Sequence, residues 1–304
     1  MENILLINRL GIGDVVLTTP LAELIKERLN CRLGMVVSAK ATDIIENHPY
    51  IDDVFGYHVP SREEMLHQIR CKNYTNAIIV DERLSSTLMA IQAGCKLLNI
   101  GFEITIDKKQ YFRRKQRALR ASLDYSYYIR CIDSEAEIKY LQPRVGKPDK
   151  QSETKIKSWY KAHKFDCNPL VLIVPRGVSA NKNWPVELLA ELNASLNCQN
   201  VIPVYLGSKQ DEAFVGAIDG NLINTAGYFS LREIALLARY ATVSVTPCTG
   251  TMHIIATAGT PLIALYGPTN PERWAPEHAV VLQAKESMED ISVQMVMDAL
   301  QPHI

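Results

Sequence analysis

Continuous apolar runs of strand length alternate with helical-period stripes along most of the chain. Asn3–Asn8, Leu33–Val37 and Ala77–Val80 are such runs, the pattern of strands buried on both faces of a parallel sheet. Between and after them, Asp14–Leu29, Ala41–Glu46, Arg62–Cys71 and Leu84–Gln92 carry apolar residues at helical spacing, with a short strand at Asp53–Gly56. Leu17, Leu21, Leu24, Ile25 and Leu29 form one stripe. Pro20 interrupts it, which predicts either a kink or a helix that starts there with Thr19 as cap.

The rhythm returns in the second half. Strands are predicted at Leu170–Val174, Val201–Leu206, Val243–Val245 and Leu262–Tyr266. Helices are predicted at Ser152–Lys164, Trp184–Leu196, Ser208–Ala217, Leu231–Ala238, Thr249–Ala258 and Ser292–Leu300. A repeated βα alternation predicts the α/β class, in two doubly wound domains. Tyr140–Asp149, with Pro143, Gly146 and Pro148, reads as the linker. The expected domains are therefore 1–148 and 149–304.

Composition narrows the partners. Lys+Arg and Asp+Glu balance at 33 each over 304 residues, so no global field draws the chain to nucleic acid. Seven scattered cysteines without a CxxC pair suit free thiols in a reducing compartment. No secretory signal or membrane-length apolar run is apparent, so a cytoplasmic protein is expected. One local asymmetry stands out. Lys108, Lys109, Arg113, Arg114, Lys115, Arg117 and Arg120 crowd a stretch holding a single acid, Asp107. It reads either as a solvated surface or as a seat for an anionic acceptor, for which arginine forks are suited.

Four loops carry candidate chemistry. Arg9-Leu10-Gly11-Ile12-Gly13-Asp14 follows the first strand, where ligands bind in open α/β sheets. Its glycines permit close approach. Asp14 reads either as an ionised general base or as a helix cap. Pro175–Pro185 follows a buried strand and contains Gly177, Ser179 and Lys182. It can present N–H groups and a cation to phosphate, or it is a plain connection with Trp184 in the core. Thr246–His253 offers Gly250 and the hydroxyls of Thr249 and Thr251 at a helix start, either a diphosphate seat or a capped helix. Tyr266-Gly267-Pro268-Thr269 is a turn after the last strand. There is no DxD pair, GxxxxGK[ST] loop or GxSxG elbow.

In this order, Arg9–Pro20, Lys182-Asn-Trp-Pro185, Cys248-Thr-Gly-Thr-Met-His253 and Tyr266-Gly-Pro268-Thr269 resemble the motifs of glycosyltransferase family 9, the ADP-heptose:lipopolysaccharide heptosyltransferases. The resemblance implies a GT-B fold, two Rossmann-like domains facing across a cleft, with a final helix that often crosses back to the first domain. It implies an inverting, metal-independent transfer of a sugar, foremost heptose from ADP-heptose, to an anionic glycan or lipopolysaccharide-core acceptor. No cofactor, metal or nucleic acid is expected. Peripheral contact at the cytoplasmic face of the inner membrane is compatible with such a substrate.

By the same resemblance Asp14 is the catalytic base and Lys182 contacts the donor phosphates. Thr249, Gly250 and Thr251 line the donor site, with His253 close by. Gly13, Gly177, Ser179 and Cys248 complete the expected donor contacts, and Arg113, Arg114 and Arg117 the acceptor contacts. Cys248 departs from the family, which carries an aspartate there. The exchange removes a charge and a strong acceptor for sugar hydroxyls, and so bears on donor choice. Two other readings share the fold or the pocket: a sugar-nucleotide epimerase, and a non-catalytic nucleotide-sugar binder.

Overall fold

The computed structural model describes residues 3–99, 120–177 and 179–304. It divides into two compact units, Met1–Lys147 and Pro148–Ile304. The basic residues Arg113, Arg114 and Arg117 lie outside the described residues.

The first unit is a five-stranded parallel sheet in the order β3-β2-β1-β4-β5. Its strands are β1 (Ile4–Asn8), β2 (Leu33–Val37), β3 (Asp53–Gly56), β4 (Asn76–Ile79) and β5 (Lys96–Leu97). β1 and β2 are buried throughout, as their unbroken apolar runs require. Helices α1 (Ile12–Arg28), α2 (Thr42–Ile45), α3 (Arg62–Cys71) and α4 (Leu84–Gln92) connect them, and α5 (Ala121–Ser126) packs against α1.

α1 runs through Pro20. A proline there cannot donate the amide hydrogen bond to the carbonyl four residues back. The Thr19 hydroxyl donates to the Val16 carbonyl instead, at 2.8 Å. Thr19 is thus the repair of the helix and not its cap. The same oxygen accepts the Arg144 N–H at 2.9 Å, while Gly146 N–H donates to the Ile44 carbonyl and Lys147 N–H to that of Asn47. The predicted linker is therefore pinned to the first unit up to the unit boundary. Asp149, its last expected residue, caps the next helix by accepting from Ser152 N–H at 2.7 Å.

The second unit is a six-stranded parallel sheet ordered β11-β10-β9-β6-β7-β8. Its strands are β6 (Val171–Ile173), β7 (Val204–Tyr205), β8 (Ile223–Asn224), β9 (Val243–Pro247), β10 (Leu262–Tyr266) and β11 (Val280–Gln283). Helices α6 (Lys150–Ala162), α7 (Val186–Cys198), α8 (Glu212–Gly216), α9 (Leu231–Ala238), α10 (Gly250–Ala256), α11 (Pro271–Trp274) and α12 (Val293–Leu300) complete it. The final helix packs on α7 and against β10 and β11 of its own unit. Val296 and Leu300 are fully buried in that core, so its apolar face is satisfied there. Among the described residues, no helix is long and apolar enough to cross a membrane.

Candidate active site

Each strand order reverses once. In the first sheet β2 and β3 run to one side of β1, while β4 and β5 run to the other. In the second, β7 and β8 lie to one side of β6, and β9, β10 and β11 to the other. The connections therefore diverge beyond the carboxyl ends of β1 and β4, and again beyond those of β6 and β9. Such switch points are the crevices in which open α/β sheets bind ligands. Three of the four candidate loops leave from them.

At the first switch point the loop after β1 is tied to the loop after β4. Arg9 Nε donates to Asp81 Oδ2 at 3.1 Å, and Arg9 N–H to the same oxygen at 3.2 Å. Asp81 also accepts from the Ser86 hydroxyl and the Arg83 N–H. Arg9 Nη2 donates to Ser85 Oγ at 2.6 Å, and the guanidinium lies 4.0 Å from the Tyr57 ring centroid. Both side chains are buried, and this many partners is what makes a buried ion pair tolerable.

The tie sets the stage for Asp14. Gly11 is the N-cap of α1, in extended conformation, and Asp14 is three residues further on. Asp14 Oδ2 accepts the Gly11 N–H at 3.1 Å, which serves one of the orphan donors at a helix start. Asp14 Oδ1 accepts the Tyr125 hydroxyl at 2.5 Å. Below it, buried Asn8 donates to the Asp14 carbonyl at 3.3 Å and to Thr18 Oγ1 at 2.7 Å. Asp14 is only partly buried, so a carboxylate fixed on both oxygens still meets its surroundings. Of the loop glycines, Gly11 is exposed and Gly13 is buried within the first turn. Close backbone approach is therefore available at Gly11 and not at the expected Gly13.

Three loops meet at the second switch point. Gly177, after β6, lies so close to the loop after β9 that a Cβ on it would stand 2.3 Å from Thr249 Cγ2. Gly177 N–H donates to Asn183 Oδ1 at 2.7 Å, which folds the intervening segment back. Ser179 is exposed at the start of the short 3-10 turn that ends in Lys182. The turn after β10 joins them. A Cβ on Gly267 would stand 3.3 Å from the Asn181 carbonyl and 2.8 Å from Met288 Sδ. Trp184, completely enclosed, donates its indole N–H to the Ile291 carbonyl at 2.8 Å; it is the core anchor of the Lys182 loop.

Cys248 sits among these segments, buried. Burial pushes its thiol above the ordinary value, opposed by hydrogen bonding with Tyr266, the Lys182 ammonium and hydrogen bonding with Thr269. The cation from the second motif, the thiol from the third and the hydroxyls of the fourth thus share one neighbourhood. Thr249 is the N-cap of α10, its hydroxyl accepting from Met252 N–H at 3.3 Å. Gly250 and Thr251, partly exposed, are the first-turn residues, whose N–H groups have no partner within the helix. His253 behaves otherwise. It is buried, and burial lowers its imidazole to about 4. It is neutral near pH 7, so it shapes α10 from inside and brings no charge to a phosphate.

Tyr125 was not singled out by sequence. It lies 111 residues from Asp14, directly after the basic stretch, and only the fold joins the two. Arg176 was missed as well. It donates to Asp211 Oδ1 at 2.6 Å and lies over the Phe214 ring, bracing the base of the Gly177 loop. Among the described residues, no group of three or more His, Cys, Asp or Glu is arranged to hold a metal ion.

Two doubly wound parallel sheets in series, each with a glycine-bearing loop at its switch point, place the chain in the GT-B class of α/β proteins. Comparison with known proteins then fixes the family. Residues 62–296 match the model of glycosyltransferase family 9 (heptosyltransferase), and the chain belongs to that family. It is 26% identical to lipooligosaccharide heptosyltransferase 2 of Haemophilus influenzae over 90% of this chain and 86% of the relative. Its fold matches a family 9 glycosyltransferase from Veillonella parvula with a TM-score of 0.84 at 18% identity, covering 99% of this chain and 96% of that one. It likewise matches the E. coli ADP-heptose lipopolysaccharide heptosyltransferase II with a TM-score of 0.79 at 20% identity, covering 99% and 98%. The chain is a glycosyltransferase, and the epimerase and passive-binder readings give way to it.

Proposed function

We propose that this glycosyltransferase moves heptose from ADP-heptose to a hydroxyl of an anionic lipopolysaccharide-core acceptor, with inversion at the anomeric carbon. The donor and acceptor classes follow the relatives, two of which are named for heptose transfer to lipooligosaccharide or lipopolysaccharide. The anionic acceptor also rests on the basic residues of 108–120 in the sequence.

In this reading Asp14 removes the proton from the acceptor hydroxyl as that oxygen attacks the anomeric carbon. The bond to the nucleoside diphosphate breaks on the opposite face, and negative charge gathers on the departing phosphate. Lys182 and the N–H groups of Gly250 and Thr251 stabilise that charge. No divalent ion is required, so EDTA should leave the rate unchanged. The observation that carries the donor side is the meeting of Lys182, Cys248 and Thr269 at the second switch point.

The experiment is a transfer assay with ADP-heptose and a heptose-deficient core acceptor, run on the wild-type chain and on Asp14→Asn. Wild-type transfer with the opposite anomeric configuration in the product, lost in Asp14→Asn by about 10²–10⁴-fold in kcat, supports the reading. Retained configuration, or near-normal turnover by a well-folded Asp14→Asn, overturns it.

A further inference from the structure

We propose that Tyr125 is a positioning residue for Asp14, holding the carboxylate in the plane that faces the acceptor hydroxyl. The proposal rests on the reading of Asp14 as the base.

Helix capping explains one of the two contacts on this carboxylate and not the other. An acid three residues after an N-cap reaches back to the cap N–H in many helices, and Oδ2 does so here with Gly11. That contact alone leaves a pivot, since a carboxylate on one hydrogen bond still swings about its last side-chain torsion. The Tyr125 hydroxyl on Oδ1 closes the second point. It comes from a different helix, α5, which packs along α1. The Tyr125 side chain is buried, so its hydroxyl is delivered by a rigid ring with two torsions.

The backbone of Asp14 is fixed independently. Asn8 and the Thr18 hydroxyl both donate to the Asp14 carbonyl, and Asn8 is completely buried. Backbone and side chain are thus held by separate sets of partners. Each carboxylate oxygen keeps a lone pair to receive a proton after both donors are counted. Positioning of this kind acts on the chemical step, because a base a fraction of an ångström out of line costs rate and leaves donor affinity alone.

The test is a double-mutant cycle with kcat and donor KM measured for the wild-type chain, Tyr125→Phe, Asp14→Asn and the double variant. Tyr125→Phe should lower kcat by about 10-fold, with donor KM and melting temperature little changed. The double variant should be no slower than Asp14→Asn alone. Equal losses in both backgrounds, or a rise in KM with kcat intact, would overturn the positioning role while leaving Asp14 as base. Near-normal turnover by Asp14→Asn would remove the base and Tyr125's role with it. Should Tyr125→Phe fail to fold, Gly11→Pro removes the other donor at a backbone φ of −67°, which proline adopts. It should show the same kcat-selective loss, and undiminished kcat in that variant would overturn the two-point hold.

Discussion

Gly177 and Thr249 touch closely enough to exclude any side chain at position 177: a Cβ there would overlap Thr249 Cγ2 at 2.3 Å. The contact seals the loop after β6 to the loop after β9 across the second switch point. Gly177→Ala should therefore push the Thr249 cap aside and weaken ADP binding by about 10-fold, a cost of about 1.4 kcal/mol. Thr249→Ser removes Cγ2 and keeps the capping hydroxyl. The double variant Gly177→Ala/Thr249→Ser should regain most of the lost affinity in a calorimetric titration with ADP. Failure of that rescue would mean that the glycine is needed for something besides space.

Lys182→Met keeps the length of the side chain and deletes its charge. A hydrogen bond to a charged group contributes about 1.5–3 kcal/mol, so ADP affinity should fall by about 10- to 100-fold while the melting temperature of the free protein stays near wild type. AMP, with one phosphate fewer, should feel the substitution less. An equal effect on both nucleotides would place the ammonium away from the terminal phosphate.

Cys248→Asp puts a carboxylate beside Lys182. The thiol is held neutral by burial, and the acid would accept hydrogen bonds that the thiol accepts poorly. Donor selectivity should shift by at least about 10-fold between heptose and a hexose carried on the same nucleotide. The measurement is kcat/KM for the two ADP-sugars on both proteins. An unchanged ratio would show that residue 248 does not face the sugar.

Acid should destabilise both units through their buried histidines. His48, in the first unit, is lowered to about 4 by burial, with the Arg144 charge adding to it. His253, in the second, is lowered to about 4 by burial. Unfolded, each has a pKa near 6.5, so between pH 6.5 and 4 the unfolded chain binds protons that the folded chain refuses. Stability is then full above pH 6.5 and falls as the pH drops to about 4, by about 3 kcal/mol for each histidine. Urea unfolding at pH 7.5 and 4.5 reads the difference. A flat profile over that interval would mean that the imidazoles are not sealed from water.

Much of this was legible in the sequence because it depends on local pattern. Unbroken apolar runs marked β1, β2, β4, β6 and β10, and the loops that follow three of them held the candidate chemistry. Strands with two residues, such as β5 and β8, are too short to show a period, and half-exposed β11 has no clean apolar face. Pro20 was misleading because a neighbouring hydroxyl supplies the missing donor, a substitution that no propensity scale records. Motif position places Gly13 and His253 at the donor site, but only the fold shows that both are buried. Tyr125 could not be found at all, since a partner 111 residues away is a property of the packed helices.

The Thr19 hydroxyl has one further consequence. Its hydrogen mends the helix at Pro20, and its oxygen grips Arg144 N–H near the end of the first unit. Together with the Arg144–Glu23 ion pair, that oxygen fastens the helix that carries Asp14 to the chain that leaves for the second unit. Thr19→Val would cost the helix its repair at Pro20 and the departing chain one of its holds in a single substitution.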